Sequence, residues 1–177
     1  MTDGELVEKV RGGDEAAFQT LYGSYRDPLF RFAYRLTGSG VDAEDLVHDC
    51  FVGLFRGGFD ERRGALRTYM YAAVRNLARK HFRDTGREEL NSDLEISIEE
   101  GPLDGLLSRE IAEEVRSAVG ALPLLQREVL VLAEYEELSL EEIARIVGAD
   151  VGAVKSRLHR ARVGLRKLLV ASMKGSA

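Results

Sequence analysis

A group of basic and hydroxyl side chains near the carboxyl terminus has the residue types and spacing that contact with DNA requires. From Val154 to Leu168 apolar residues recur at steps of four and three, which predicts a helix with one buried side. The opposite side carries Lys155, Ser156, His159 and Arg160. Cationic and hydroxyl groups of these kinds bind base edges in the major groove. The four side chains are therefore candidate base contacts.

The residues before this helix predict an arrangement that would present it to a groove. Ser139 and Glu142 have the spacing of a capping box at the start of a first helix. Gly148 is placed to end that helix, and Asp150 to cap the next one. Two helices joined by so short a turn form a helix-turn-helix, whose second helix enters the major groove. An ordinary helical hairpin with a solvated basic side is the competing interpretation.

A second basic segment, from Leu66 to Phe82, mixes cations with aromatic rings and one amide. Its periodicity predicts a helix that turns apolar residues inward and polar residues outward. Cations bind phosphates, flat rings stack on exposed bases and an amide reads a base edge, as single-stranded DNA requires. The candidates are Arg67, Tyr69, Arg75, Asn76, Arg79 and Lys80. A solvated basic helix would have the same spacing.

Charge is segregated along the chain in a way that the net charge of −5 conceals. Residues 61–87 carry a net +6 and residues 151–177 a net +7, whereas residues 88–142 carry −13. Two basic blocks separated by an acidic one favour two DNA-facing surfaces with an acidic connection. Chance clustering of charge is the alternative.

The elements that position these residues are predicted to be helices. Helical periodicity recurs throughout the 177 residues, so the fold class is predicted as all-α, with two small helical domains. Glycine, proline and acidic residues interrupt the periodicity over residues 86–107, which predicts an acidic flexible linker. The predicted domains are residues 1–85 and 108–177, and Ser108 is expected to cap the first helix of the second. Pro28 predicts either two helices or one kinked helix in the first domain.

A further helix, predicted to start at Asp42 as N-cap, has one apolar side and one acidic side. Glu44, Asp45 and Asp49 lie on the acidic side. Carboxylates near a helix start are favoured by the helix dipole, which is a purely structural explanation. A solvent-facing acidic side would equally fit a basic partner protein.

Several classes of protein and site are not predicted. Cys50 stands alone among apolar neighbours, which excludes an internal disulfide and favours a core thiol. His48, His81 and His159 are too far apart to suggest zinc, and no metal or cofactor is expected. No motif brings a nucleophile, a base and an orienting group together, so an enzyme is not expected. Neither a signal peptide nor a membrane span is recognisable, which predicts a cytoplasmic protein without membrane insertion.

Taken in order, these segments resemble the sigma-70 family of bacterial transcription initiation factors, and specifically its extracytoplasmic-function (ECF) group. Residues 42–55 are similar to the polymerase-binding helix of sigma region 2, and residues 66–83 to its promoter-melting helix. Residues 122–132 and 138–162 are similar to sigma region 4. Many regulators share a helix-turn-helix, whereas four motifs in this order are far more specific.

The resemblance implies a subunit that binds core RNA polymerase and directs it to promoters with particular −10 and −35 elements, while catalysis belongs to the polymerase. By motif position Lys155, Ser156, His159 and Arg160 would face the −35 element, with Arg157 and Arg162 on phosphates. Asn76 would face the −10 element, with Arg75, Arg79 and Lys80 on its backbone, and the loop around residues 59–68 would hold an extruded base. Glu44, Asp45 and Asp49 would contact the polymerase clamp, and the acidic linker would follow a basic channel of the polymerase.

The chain departs from the family pattern at several positions. It has no tryptophan, and Leu54, Phe55 and Tyr69 stand where the region 2 helices usually carry one, which predicts weaker stacking. Glu137 replaces the glycine that usually precedes the helix-turn-helix, which predicts a strained turn. Asp150 replaces the usual proline or serine and is still expected to cap the second helix of the helix-turn-helix.

Two other functions stay open from the sequence. A dimeric helix-turn-helix transcription regulator would bind a palindromic duplex tightly without polymerase. An interaction protein with incidental basic faces is the third hypothesis. Domains of about 60 to 80 residues bury only about 60% of their unfolded surface, so a sequestering anti-sigma factor is a further expected partner for a sigma factor of this build.

Overall fold

The computed structural model describes residues 1–86 and 106–175, and all regular structure in these ranges is helical. The N-terminal domain consists of α1 (Asp3–Arg11), α2 (Glu15–Thr37), α3 (Gly40–Gly53) and α4 (Leu66–Thr85). The C-terminal domain consists of α5 (Leu106–Ala121), α6 (Leu124–Glu134), α7 (Leu140–Val147) and α8 (Val151–Gly175). The all-α fold class is confirmed for the described residues. The linker predicted at 86–107 lies largely outside them.

The long helix α2 resolves the alternative that Pro28 left open, because a single helix runs through it. The Asp14 side chain accepts a hydrogen bond from the Ala17 N–H at 3.0 Å and caps its start. Gly38, at φ +70°, ends it in the left-handed conformation. The helix buries Leu21, Leu29, Phe32, Ala33 and Leu36 in the core of the N-terminal domain.

Three helix starts differ from the predictions. Asp42 is not the N-cap of α3, because the Ser39 hydroxyl accepts from the Asp42 N–H at 3.2 Å and begins the helix at Gly40. Ser108 does not cap α5, since that helix already begins at Leu106. Helix α1 had not been predicted, and it begins with a reciprocal capping box between Thr2 and Glu5. With one buried residue, it is too short to have a clear periodicity.

Cys50 lies in the core of the N-terminal domain and its predicted role as a core thiol is confirmed. Its side chain is 1% exposed and the sulfur lies 3.6 Å from the Met70 carbonyl oxygen. Burial raises the pKa of the Cys50 thiol from 9.0 to about 12, because a thiolate would lose its hydration. The thiol is therefore uncharged and unreactive in the folded protein.

The two domains pack directly on one another. Helix α4 lies against α7, and α2 lies against α5 and α6. One side of α4 contributes to the core of the N-terminal domain, with Met70, Val74 and Ala78 buried there. The side facing α6 and α7 includes residues predicted to contact DNA, which makes this interface part of the candidate site.

Candidate nucleic-acid interface

The helix-turn-helix is formed by α7 and α8, and local hydrogen bonds fix its ends as predicted. The Ser139 hydroxyl accepts from the Glu142 N–H at 3.1 Å. Gly148 closes α7 at φ +67°, and the Asp150 carboxylate accepts from the Ala153 N–H at 2.7 Å at the start of α8. The apolar sides of the two helices are buried, with Ile143, Ile146, Val147, Val154, Leu158 and Ala161 in the core. The orientation of α8 is thus set by caps and by its own apolar side.

The outer side of α8 presents its candidate base contacts to solvent together. Lys155, Ser156, His159 and Arg160 are all exposed. The two predicted phosphate contacts differ from one another. Arg157 is half-buried, whereas Arg162 is exposed and its Nη2 donates to Glu134 Oε1 at 2.6 Å. The four candidate base contacts are therefore all exposed, whereas one phosphate contact is partly covered and the other is already in an ion pair.

The turn before α7 contains the strain that Glu137 was predicted to introduce. Glu137 has φ +54°, in the left-handed region. For a residue with a Cβ this conformation costs about 1–2 kcal/mol, which explains why glycine is suited to the position. The Leu138 N–H nevertheless bonds to the Leu132 carbonyl at 3.1 Å and returns the chain to α6.

On α4 the predicted DNA contacts separate into an exposed set and a covered one. Asn76, Lys80 and Arg67 are exposed and Arg79 is half-buried. Arg75 was expected at the surface, and this expectation is wrong for the closed arrangement seen here. Its side chain is only 7% exposed. Its charge is paired with the buried carboxylate of Glu128 on α6.

The Arg75 guanidinium forms a two-pronged ion pair with Glu128. Its Nε donates to Oε2 at 2.8 Å and its Nη2 to Oε1 at 3.0 Å, and the Glu128 side chain is 0% exposed. The remaining nitrogen, Nη1, donates to the Asn76 side-chain oxygen at 3.2 Å. The candidate base-reading amide is consequently joined through Arg75 to the C-terminal domain.

A second acidic residue of the C-terminal domain, Glu136, also contacts α4. The Tyr71 hydroxyl donates to the Glu136 carboxylate at 2.7 Å, and Arg67 Nη2 donates to its backbone carbonyl at 3.4 Å. Burial raises the pKa of Tyr71, and the neighbouring Glu136 charge and hydrogen bond raise it further. Tyr71 is therefore a neutral hydrogen-bond donor in this contact.

The loop that precedes α4 is supported from two sides. The Tyr69 ring lies 5.6 Å from the Phe59 ring, and Gly58 passes so close to the Tyr69 hydroxyl that a Cβ there would clash. The Glu61 carboxylate accepts from the Gly4 N–H at 2.9 Å and ties the loop to α1. The aromatic pair occupies the neighbourhood where the family resemblance places an extruded base.

The acidic side of α3 is located as predicted. Glu44, Asp45 and Asp49 are exposed on it. Glu44 lies 3.7 Å from the Arg26 guanidinium, a contact between two side chains that are 66% and 39% exposed. Water screens such a pair, so Arg26 neutralises little of the negative charge on this side of α3.

Sequence reasoning missed the residues that join the domains, namely Arg127, Glu128, Glu136 and Tyr71. Arg127 donates to the Leu36 carbonyl of α2 and to the Leu122 carbonyl of its own domain. A signal was present, because Arg127 and Glu128 interrupt the apolar segment 122–132. Buried charges need partners, and neither residue has its interdomain partner nearby in sequence.

Two family models match the chain, Sigma-70 region 2 over residues 21–88 and Sigma-70 region 4 over residues 112–165. The ECF RNA polymerase sigma factor SigW of Bacillus subtilis (strain 168) is 31% identical, over 92% of this chain and 94% of that protein. The ECF RNA polymerase sigma-E factor of Escherichia coli (strain K12) is 34% identical, over 92% and 91%. The chain belongs to the sigma-70 family, in its ECF group. Its predicted function as a sigma factor, and so as a transcription initiation factor, is confirmed.

Two solved structures share this fold. The sigma factor RpoE in complex with the anti-sigma factor NepR from Bartonella quintana has a TM-score of 0.68 and 28% identity, over 86% of this chain and 96% of that one. CnrH in complex with the cytosolic domain of CnrY has a TM-score of 0.70 and 27% identity, over 96% and 97%. Among the described residues of this sigma factor, none of the helices combines the length and apolar character that crossing a membrane requires.

Proposed function

We propose that this ECF sigma factor divides promoter recognition between its domains. Residues 1–85 bind core RNA polymerase and the −10 element, residues 108–177 bind the −35 element, and the acidic linker 86–107 connects them along a basic channel of the polymerase. The observation that carries this division is the exposed side of α8, where Lys155 and Arg160 are presented by a helix-turn-helix.

At the −35 element, α8 enters the major groove. Lys155 and Arg160 donate to guanine edges, and Ser156 and His159 lie on the same exposed side to contact neighbouring bases. Arg157 and Arg162 hold phosphates, which gives affinity without sequence preference. The ion pair of Arg162 with Glu134 must be exchanged for a phosphate, a small change because the two side chains are 55% and 48% exposed.

At the −10 element, α4 and the loop before it bind separated strands. Asn76 reads a base edge while Arg67, Arg75, Arg79 and Lys80 hold the backbone. Tyr69, packed on Phe59, offers a ring to an unstacked base. Tyrosine presents a smaller ring than tryptophan, so the stacking contribution is smaller than in relatives with tryptophan there.

The acidic side of α3 binds the polymerase. Glu44, Asp45 and Asp49 form an exposed negative surface on a helix whose other side is buried in the core. A basic surface on the polymerase clamp complements it, and complementary charge accelerates association. The polymerase supplies the catalysis, and the sigma factor acts in the cytoplasm, where promoters are.

An anti-sigma factor is a further proposed partner. Two solved relatives are each held in a complex, the sigma factor RpoE with the anti-sigma factor NepR and CnrH with the cytosolic domain of CnrY. The present chain aligns with both over most of its length. Its two small helical domains fit a partner that sequesters them.

Run-off transcription with purified core polymerase tests the proposal. The template is a pool of promoter fragments from the host genome, and DNA retained by the holoenzyme is sequenced. Asp45→Lys should abolish retention through loss of polymerase binding, whereas Glu15→Lys, an exposed acid at the start of α2, should not. No stimulated initiation on any fragment would refute the proposal. Tight binding of the free protein to a palindromic duplex would favour the dimeric regulator instead.

A further inference from the structure

The loop that connects α3 to α4, residues 54–65, is bonded to both ends of helix α1. At the start of α1 the Gly4 N–H donates to the Glu61 carboxylate at 2.9 Å. At its end Arg11 Nη2 donates to the Leu54 carbonyl oxygen at 2.9 Å. Positions 4 and 11 are seven residues apart, about two turns, so they lie on the same side of the helix. One side of α1 therefore contacts both the first residue of the loop and its second half.

Each of these hydrogen bonds has electrostatic support from a helix end. Gly4 lies in the first turn of α1, where N–H groups lack intrahelical partners and the helix dipole favours an anion such as Glu61. Leu54 directly follows the last residue of α3, where the dipole favours a cation such as Arg11. Between the two contacts Val7 is 1% exposed. The two contacts are thus charge-assisted and flank a buried side chain.

The loop has few constraints of its own. Gly57 has φ +100°, a conformation that glycine adopts without steric cost. The Asp60 carboxylate accepts from the Arg62 N–H at 3.0 Å, a bond that fixes a local turn without fixing where that turn lies. The ring of Phe59 packs on Tyr69 and holds the middle of the loop against α4. The position of the remaining residues depends on the contacts with α1.

The start of α1 also lies close to a proposed DNA contact on α4. Burial raises the pKa of Tyr25 on α2, the charge of Asp3 raises it further, and the charge of Arg67 lowers it. Asp3 is the first residue of α1, and Arg67 is in the first turn of α4. Both charges are near enough to act on one hydroxyl, so α1 and the start of α4 meet beside Tyr25.

We propose that α1 positions the 54–65 loop for an unpaired base of the −10 element, with Arg11 and Glu61 as positioning residues that act through the loop. This inference rests on the proposed function of α4 and its loop, and it assigns part of the base preference to α1. A loop already held in its binding shape loses less conformational entropy when it takes up a base. Without the α1 contacts the cations of α4 still bind the backbone, but the loop fits several bases alike.

The first experiment measures base preference in the holoenzyme reconstituted with core polymerase. The probe is a pool of single-stranded oligodeoxynucleotides with a randomised central segment, and the retained molecules are sequenced. Arg11→Ala should lower the enrichment of the preferred base at one position by about five- to tenfold, because the loop is in its binding shape for a smaller fraction of the time. Enrichment at the other positions should stay unchanged.

Two further variants serve as controls for Arg11→Ala. Lys9→Ala removes an exposed cation from the same helix and should leave enrichment unchanged at every position. Arg11→Lys keeps the charge and a donor for the Leu54 carbonyl, so it should restore part of the lost preference. Unchanged enrichment with Arg11→Ala, or an equal loss at every position, overturns the proposal.

The second experiment separates positioning from stability. A Cβ at Gly4 would lie 2.3 Å from Glu61 Oε2, so Gly4→Ala displaces this carboxylate, while alanine is favoured over glycine in a helix. Base preference should fall by about threefold or more, whereas the urea midpoint should stay or rise. Gly23→Ala is the control, because an added Cβ there meets nothing within 4 Å, and it should leave the preference unchanged. Unchanged preference with Gly4→Ala, or a midpoint that falls together with the preference, overturns the proposal.

Hydrogen exchange in the free full-length chain reports the position of the loop without DNA or polymerase. The amides of Arg62 and Arg63 are both bonded to Asp60 and provide protected probes. Arg11→Ala and Glu61→Ala should each speed exchange across residues 54–65, because the loop opens more often. Exchange at the rate of the unaltered chain in both variants overturns the proposal.

The failure of this inference is distinguishable from failure of the proposed function. If the unaltered holoenzyme enriches no sequence in the pool, the −10 function of α4 is wrong and this inference falls with it. If the unaltered holoenzyme enriches a sequence and Arg11→Ala enriches it equally well, the function stands and the positioning role of α1 is refuted.

Discussion

The two helices assigned to DNA, α8 and α4, meet opposite conditions in the same structure. On α8 the candidate base contacts Lys155 and Arg160 are exposed. On α4 Arg75 is buried against Glu128, and its neighbour Asn76 is bonded to it. One proposed DNA surface is exposed to solvent, and the other is partly covered by the C-terminal domain.

The difference shows that a basic helix does not by itself indicate a free DNA surface. Each helix has an acidic neighbour on α6 or at its end, Glu134 for Arg162 and Glu128 for Arg75. The first pair is about half exposed, so water screens it and a phosphate can replace the carboxylate easily. The second is desolvated, so replacement requires movement of a domain. Burial, more than charge, decides which contact is available.

The largest expected effect comes from removing the cation of the covered surface. Arg75→Leu leaves Glu128 without a counter-charge, and breaking a buried pair in this way costs about 3–5 kcal/mol if the domains stay closed. If the two domains separate instead, Glu128 is hydrated and that cost disappears. The loss in unfolding free energy is therefore limited to the free energy of packing the domains together. We expect a lower urea midpoint and a smaller m-value, because an open native state exposes less additional surface on unfolding.

Circular dichroism during urea unfolding provides the measurement, and Arg79→Leu is the matched control. Arg79 lies on the same helix and is half-buried outside the ion pair. The same loss and the same m-value for both variants would show that the pair does not hold the domains. The ion pair of Arg75 with Glu128 would then not explain why α4 is covered while α8 is exposed.

The two helices also differ in how much of their surroundings the sequence could predict. The caps of α7 and α8 were predictable because Ser139, Gly148 and Asp150 act within three or four residues of themselves. The start of α3 was missed because Ser39 and Asp42 are both good caps, and the helix begins after the earlier of the two. The pair of Arg75 with Glu128 joins residues 53 positions apart across a domain interface. No local pattern specifies such a partner.

On the open surface we expect intermediate effects that depend on DNA sequence. Lys155→Ala or Arg160→Ala should each cost about 1–3 kcal/mol at a cognate −35 duplex if the side chain contacts a base. Fluorescence anisotropy with cognate and scrambled duplexes gives the measurement. Glu128→Gln should leave both affinities nearly unchanged, because α8 is exposed in the closed state. Equal losses on the two duplexes would remove the base-reading assignment.

A smaller effect is expected at the turn that connects α6 to α7. Glu137, at φ +54°, follows Glu136, whose carboxylate holds Tyr71. Glu137→Gly should raise the unfolding free energy by about 0.5–1 kcal/mol, since relief of left-handed strain exceeds the entropy cost of glycine. Glu141→Gly, the same change within α7, should lower it by a similar amount. Destabilisation by both changes would mean that the strain at Glu137 is unimportant.

The smallest expected effect lies in the screened pair of the open surface. Glu134→Gln frees Arg162, and an ion pair with both partners about half exposed contributes only about 0.2–1 kcal/mol. Binding of cognate and scrambled duplexes should tighten by the same small factor, because Arg162 meets phosphate. Arg162→Ala should weaken both equally and lower the salt slope by about one. A larger gain on the cognate duplex than on the scrambled one would mean that Glu134 restrains a base contact, and that Arg162 does not act through phosphate alone.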